Sequence, residues 1–326
     1  MSISKHRGPA DQRPSPGPRG WPSLATATGL ILLAGLASVA PAHAARDLLT
    51  TRALSMGGAL RAAATGTSAP LLNPATLTAA RVYVMDTLYQ FRSTDDASHF
   101  FAAIADSVTS TLGAALYYSY GNASPRRTLP QDGAPALSLT EKHQEHELGG
   151  ALAVPLGEWL SIGVTGRYLH YRVDPPANAP SDALRTRLSR FTMDTGAALR
   201  LGEIFRFGVI GYNLIAVDDQ LCPRALGLGV ALTTGKALTL AFDSVLDFTS
   251  DPKALSATLH GGLELLAGES YALRAGAQHD TFLQASYVTA GVGLLSSRVG
   301  LELGLRQQVD GGTGTLISTA IKVFVQ

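Results

Sequence analysis

The residues best equipped for chemistry in this chain stand in the run Glu141-Lys142-His143-Gln144-Glu145-His146-Glu147. Two histidines three positions apart, flanked by carboxylates, would share a divalent metal on a helix, since imidazole nitrogens and carboxylate oxygens are ordinary zinc ligands. The order is not that of a zinc protease, however, and the run leads into alternating apolar residues. An extended backbone there sends His143 and His146 to opposite faces. The run therefore reads as a solvated loop end, with no metal. A second grouping sets His260 near Asp243 and Glu264, the base and acids that would activate a nucleophile. No serine or threonine is singled out beside them, so the chain reads as a non-enzyme without a cofactor and these charges as a polar lining.

What must position that lining is a period of two. The clearest copy is Val299-Gly300-Leu301-Glu302-Leu303-Gly304-Leu305-Arg306, in which every odd position is apolar and Glu302 and Arg306 share the other face. Such alternation makes a strand with one oily and one wet side. Fourteen segments of this kind run from Arg81–Gln90 to Thr315–Val325. Their connections sort by parity: Ser107 to Thr111, Pro155 to Glu158, Leu201 to Ile204, Thr233 to Lys236, Ala267 to Ser270 and Ser296-Ser297 are short. Gly121 to Gln144 and Arg172 to Arg187 are long and polar. A soluble sandwich has no reason to sort its connections this way. The fold expected is all-β, a fourteen-stranded antiparallel transmembrane barrel with lipid outside. A mid-depth Arg or Lys against lipid costs roughly 2–4 kcal/mol, which puts Arg167, Asp194, Asp243, Glu264, Arg274, Glu302 and Arg306 in the lumen. Tyr118, Tyr120 and Tyr168 share the lipid-facing parity near the outward strand ends, where an aromatic girdle belongs.

Composition agrees. Of 326 residues, 46% are hydrophobic and 16% charged, too oily for a disordered chain, and the net charge of +1 excludes the concentrated basic surface a nucleic-acid partner needs. The first residues carry Lys5, Arg7, Arg13 and Arg19, then the small and apolar run Leu24 to Ala40, then Ala42-His43-Ala44. This is the pattern of a secretory signal peptide with an extended leader, residues 1–44, cleaved after Ala44. Export across one membrane and a barrel in the next imply the outer membrane of a Gram-negative bacterium. The lone Cys222 makes no intramolecular disulfide.

Residues 45–80 precede the barrel, residues 81–326, and lack the alternation. A fourteen-stranded barrel is too wide for its own side chains to fill, and this segment is long enough to stopper it. Its Arg52-Ala53-Leu54-Ser55-Met56-Gly57-Gly58-Ala59, Ala64-Thr65-Gly66-Thr67-Ser68-Ala69 and Leu72-Asn73-Pro74-Ala75-Thr76-Leu77 resemble the opening of the FadL-like outer-membrane proteins, most closely the PorV/PorQ branch. The resemblance implies a barrel whose N-terminal part folds inward as a hatch, with Met56, Gly57, Gly58, Asn73 and Pro74 as its motif. Gly57 and Gly58 permit positive φ and a close approach to the wall, and Pro74 holds Asn73 extended. The sequence departs from the family at Thr65-Gly66-Thr67, where an Asp is usual, and at its end, Phe324-Val325-Gln326, which lacks a terminal aromatic. Two functions are open: a plugged barrel passes a small compound, hydrophobic or not, through its lumen when the hatch shifts, or, as the PorV/PorQ resemblance implies, a non-transporting platform lets secreted or surface proteins dock through the long connections. Gly227, Gly229, Ala231, Gly291 and Gly293 on the inner face are expected to leave room for a ligand.

Overall fold

The computed structural model describes residues 48–131, 134–176, 186–215, 222–235, 237–249, 255–268, 270–310 and 312–325. The expected leader and its cleavage position after Ala44 lie outside the described residues. The strands are β1 (Tyr83–Arg92), β2 (Ala97–Asp106), β3 (Gly113–Ala123), β4 (Arg126–Gln131), β5 (Ala134–Thr140), β6 (Lys142–Pro155), β7 (Leu160–Asp174), β8 (Thr186–Leu201), β9 (Phe205–Tyr212), β10 (Ala225–Thr234), β11 (Leu238–Asp247), β12 (Ser256–Ala267), β13 (Tyr271–Asp280), β14 (Ala285–Leu295), β15 (Val299–Asp310) and β16 (Thr315–Val325). Fourteen of them close into an antiparallel barrel in chain order, with β3 beside β6. The seam joins the first strand to the last, from Tyr83 opposite Val325 to Arg92 opposite Leu316.

The expected long loop between β3 and β6 contains a hairpin instead, β4 paired with β5 outside the barrel sheet. Pro130 and Pro135 interrupt its alternation in the sequence, which hides it from a period count.

Burial follows the alternation. Along β15, Leu301, Leu303 and Leu305 are exposed while Glu302 and Arg306 are buried. The exposed apolar band continues around the wall through Met85, Leu152, Phe207, Phe242 and Leu273. A ring without a free edge satisfies every strand's backbone, which is what lets such a surface sit in hydrocarbon. No helix among the described residues is long and apolar enough to cross a membrane. At the short-connection end, Gly157, Gly202, Gly235 and Gly268 take positive φ, the conformation tight turns demand.

The lumen is where the core lies. Residues 48–80 enter it as α1 (Thr51–Ser55), a 3-10 turn (Gly66–Ser68), α2 (Ala69–Leu72) and a second 3-10 turn (Pro74–Ala79). Helix α1 packs on β13 to β16, the second turn on β6, β7 and β8. Leu54, Met56, Leu60, Leu72 and Leu77 are buried between segment and wall. The abundance of alanine lets a short helix and turns fit so narrow a space. Phe324, on the inward parity at the chain's end, packs against this core, so its ring faces the interior instead of the bilayer.

Candidate functional site: the occupied lumen

Glycines of the inner wall form the bed on which the segment lies. A Cβ on Gly276 would stand 2.5 Å from the Gly57 nitrogen, on Gly262 2.5 Å from the Met56 oxygen, and on Gly163 2.5 Å from the Ala75 nitrogen. On Gly208 it would stand 2.3 Å from the Arg61 oxygen. These contacts are with backbone, which cannot swing aside. The expectation of ligand room at the small inner residues is thereby corrected. Gly227 and Gly229 are covered by Arg61 and Ala62, Gly291 by Ser55, and Gly293 by Arg274 with Ala272, while Ala231 is buried in the core. Gly227, Gly229 and Gly291 thus make room for the chain's own N-terminal segment. Gly57 and Gly58 themselves have φ of 63° and 81°.

Charges then tie segment to wall. Arg52, on α1, donates from Nε and Nη2 to both oxygens of Glu264, at 2.9 and 2.7 Å. Arg274 donates to the same Glu264 at 2.6 Å and reaches Glu302 at 3.0 Å. Lys322 continues from Glu302, at 2.7 Å, to Asp86, at 3.9 Å, and Asp86 accepts the Thr67 hydroxyl at 2.7 Å. The circuit thus leaves the segment at Arg52, crosses the wall and the β1–β16 seam, and returns to the segment at Thr67. Thr67, in the turn that carries no acid of its own, thus faces an acid on the wall. Asp86 and Lys322 went unremarked in the sequence, although both are mid-strand charges that the lumen rule would have found; they are register partners across the seam.

A second knot holds the middle of the segment. Asp243 accepts the Arg61 backbone N–H at 2.7 Å and Arg61 Nη1 at 3.1 Å, and Arg61 Nε donates to the Tyr212 hydroxyl at 3.0 Å. Burial opposes the charge on both segment arginines. Glu264 for Arg52, and Tyr212 with Asp243 for Arg61, outweigh it, so both guanidinium pKa values lie above the ordinary value. Asn73 has φ −165°, the extended form its place before Pro74 imposes. Its amide donates to the Arg61 and Ala197 carbonyls, at 2.9 and 3.1 Å, and its oxygen accepts the Ala75 N–H at 3.1 Å. Met56 is wholly buried and Pro74 opens the second 3-10 turn.

The remaining lumen charges belong to the wall. Arg167 lies between Glu147, at 3.4 Å, and Asp194, at 3.1 Å, and Glu147 also accepts the Tyr117 hydroxyl. Arg306 stacks over the Tyr287 ring, 4.8 Å from its centroid. The residues with catalytic potential do not assemble. His260 donates from Nδ1 to the Gly57 carbonyl at 2.6 Å, while Asp243 and Glu264 are engaged by arginines. His143 faces inward between Glu141 and Tyr171, at 3.1 and 2.6 Å, and His146 faces outward. No group of three or more potential metal ligands occurs among the described residues.

Beyond the segment, at the end bearing the long connections, the lumen keeps a cavity of about 330 Å³. Leu48, Leu71, Leu72, Leu169, Leu316 and Tyr287 give it apolar surface, and Arg61, Arg167, Asp194, His260 and Arg306 a polar border.

No protein-family model and no curated protein sequence matches the chain. Solved structures do. The fold is similar to that of the Ralstonia pickettii toluene transporter TbuX (TM-score 0.67, 12% identity, 85% of this chain and 98% of that one). It is similar too to the CymD monoaromatic hydrocarbon channel (TM-score 0.64, 12% identity, 85% and 98%). A Pseudomonas aeruginosa FadL homologue matches with TM-score 0.62, 11% identity and 84% and 98% coverage. The chain has the fold of the FadL-type fourteen-stranded transmembrane barrels.

Proposed function

We propose that this protein is an outer-membrane channel that admits a small hydrophobic compound from the side of the long connections, with residues 45–80 as the plug that the compound must pass. The observation that carries it is the leucine-floored cavity resting directly on the segment. Its volume is at the small end of ligand pockets, and an apolar cavity of roughly 150 Å³ already takes benzene. Two proteins of similar fold, a toluene transporter and a monoaromatic hydrocarbon channel, point to the same class. The glycine bed and the two charge knots support the plug role of Met56, Gly57, Gly58, Asn73 and Pro74, and of Glu264, Arg274, Glu302 and Asp243 on the wall. Export with cleavage after Ala44 would begin the mature chain at Ala45, just ahead of the segment's first described residue.

The test is toluene binding by the purified barrel, followed by isothermal titration. Saturable binding that Leu169→Trp abolishes is the expected result, and absence of saturable binding in the unaltered protein overturns the reading. Deleting Met56 to Ala75 is expected to raise single-channel conductance, and unchanged conductance refutes the plug. A PorV/PorQ-like platform for secreted or surface proteins rests on the motif of residues 52–77, and the cavity favours transport over it.

A further inference from the structure

The outward faces of β3, β6, β7 and β8 change chemistry in tiers. Strand register places Tyr118, Leu148, Tyr168 and Phe191 side by side, all exposed. One step further from the short-connection end, His146 stands opposite His170, with ring centroids 6.1 Å apart. The next step sets Arg172 opposite Arg187, and the last sets Lys142 opposite Asp174. Arg187 and Lys142 are exposed, and Arg172 is one-third exposed beside Asp174 at 2.9 Å. From Leu160 to His170 the strand climbs about 25 Å, taking about 3.3 Å per residue and a tilt of about 40°, which is the height of the apolar band of such barrels. The imidazoles thus stand at its edge and the arginines about 5 Å above it, where lipid phosphates lie. Among the described residues at this end, the only other outward-facing Lys or Arg next to a barrel strand is the exposed Arg224, one residue before β10; other outward positions include Phe91, Leu226, Leu246, Ser286 and Gln307.

We infer that this sector binds the phosphorylated headgroup of an anionic lipid in the outer leaflet, with Arg172, Arg187 and Lys142 as its phosphate donors. Charge sign, height and the clustering of three basic side chains on three adjacent strands all fit that occupant. Guanidinium forks suit phosphate oxygens, and tyrosines below them suit the acyl–headgroup boundary. The inference rests on the outer-membrane reading above but not on the cavity.

The test uses the full folded chain in phosphatidylcholine nanodiscs doped with bis-phosphorylated lipid A or with the same lipid stripped of phosphate. Native mass spectrometry reads the lipid retained. The unaltered protein is expected to prefer the phosphorylated lipid, and the combined variant K142Q/R172Q/R187Q to lose that preference by roughly fivefold per charge removed, equivalent to about 1 kcal/mol for a basic side chain at an anionic membrane surface. K142R/R187K, which keeps the charges, is expected to retain it. Equal retention of both lipids, or an unchanged preference in the neutralised variant, overturns the inference. Full displacement of the lipid by inorganic phosphate would make this a free-phosphate site and overturn the lipid assignment, as would a protein held stoichiometrically by the same three side chains. Toluene binding is expected to be equal in all variants, so failure of the channel reading is seen separately.

Discussion

The bed of wall glycines gives the sharpest prediction. Replacing Gly208 and Gly276 by alanine adds one methyl at each of two separated contacts with the segment's backbone. At Gly208 the new carbon would lie 2.3 Å from the Arg61 oxygen, and at Gly276 2.5 Å from the Gly57 nitrogen. Ordinary contact begins near 3.4 Å, so the segment or the wall must retreat by about an ångström at each point. Overpacking of this kind costs about 1–3 kcal/mol per site, and separated sites add. The pair is therefore worth about 2–6 kcal/mol against the seated segment. At tenfold for every 1.4 kcal/mol, the unseated population rises at least about twentyfold. The control is built in: alanine at Gly150 or Gly261, on the outward face, meets no atom closer than 3.8 or 3.7 Å. Single-channel recording in planar bilayers, with limited proteolysis of residues 48–80, reads the outcome. More frequent openings and faster cleavage are expected in G208A/G276A, and neither in G150A/G261A. Conductance and proteolysis unaltered in the inner pair would refute the idea that these glycines seat the segment.

Other perturbations act on the knots. Glu264→Ala takes the bidentate carboxylate from the part-buried Arg52 and leaves the buried Arg274 with Glu302, and is expected to cost about 3–5 kcal/mol, measured as a lower urea midpoint for the folded band on unheated gels. Asn73→Ala leaves the Arg61 and Ala197 carbonyls without their donor and is expected to cost about 1–3 kcal/mol in the same assay, with little effect on the barrel's strand signal in circular dichroism. Lys322→Gln takes the 2.7 Å partner from Glu302 and the 3.9 Å partner from Asp86, and is expected to destabilise more than Asp86→Asn, which leaves Lys322 paired with Glu302; the same assay reads the difference.

The strands were legible because the bilayer enforces the simplest pattern a sequence can carry: Leu301, Leu303 and Leu305 outside, Glu302 and Arg306 inside. The segment before them was harder, since it packs all round and shows no period. Arg52 and Arg61 looked like unremarkable charges in a region without alternation, and only the fold brings them to Glu264 and Asp243. The inner glycines were readable as small, but smallness alone does not say whether a ligand or a backbone takes the space. The β4–β5 hairpin was missed for a different reason. Asp132-Gly133 is a strong two-residue hairpin signal, yet the flanking prolines broke the alternation that a strand search depends on.

That β1 and β16 are neighbours means the polypeptide cannot close its wall until Thr315–Val325 is in place. Until then both seam strands present open backbone, Asp86 waits for Lys322, and Thr67 waits with it. Assembly is therefore a matter of timing: residues 48–80 have to be enclosed by a wall that only Thr315–Val325 completes, and a chain cut before Thr315 would offer two raw edges to proteases.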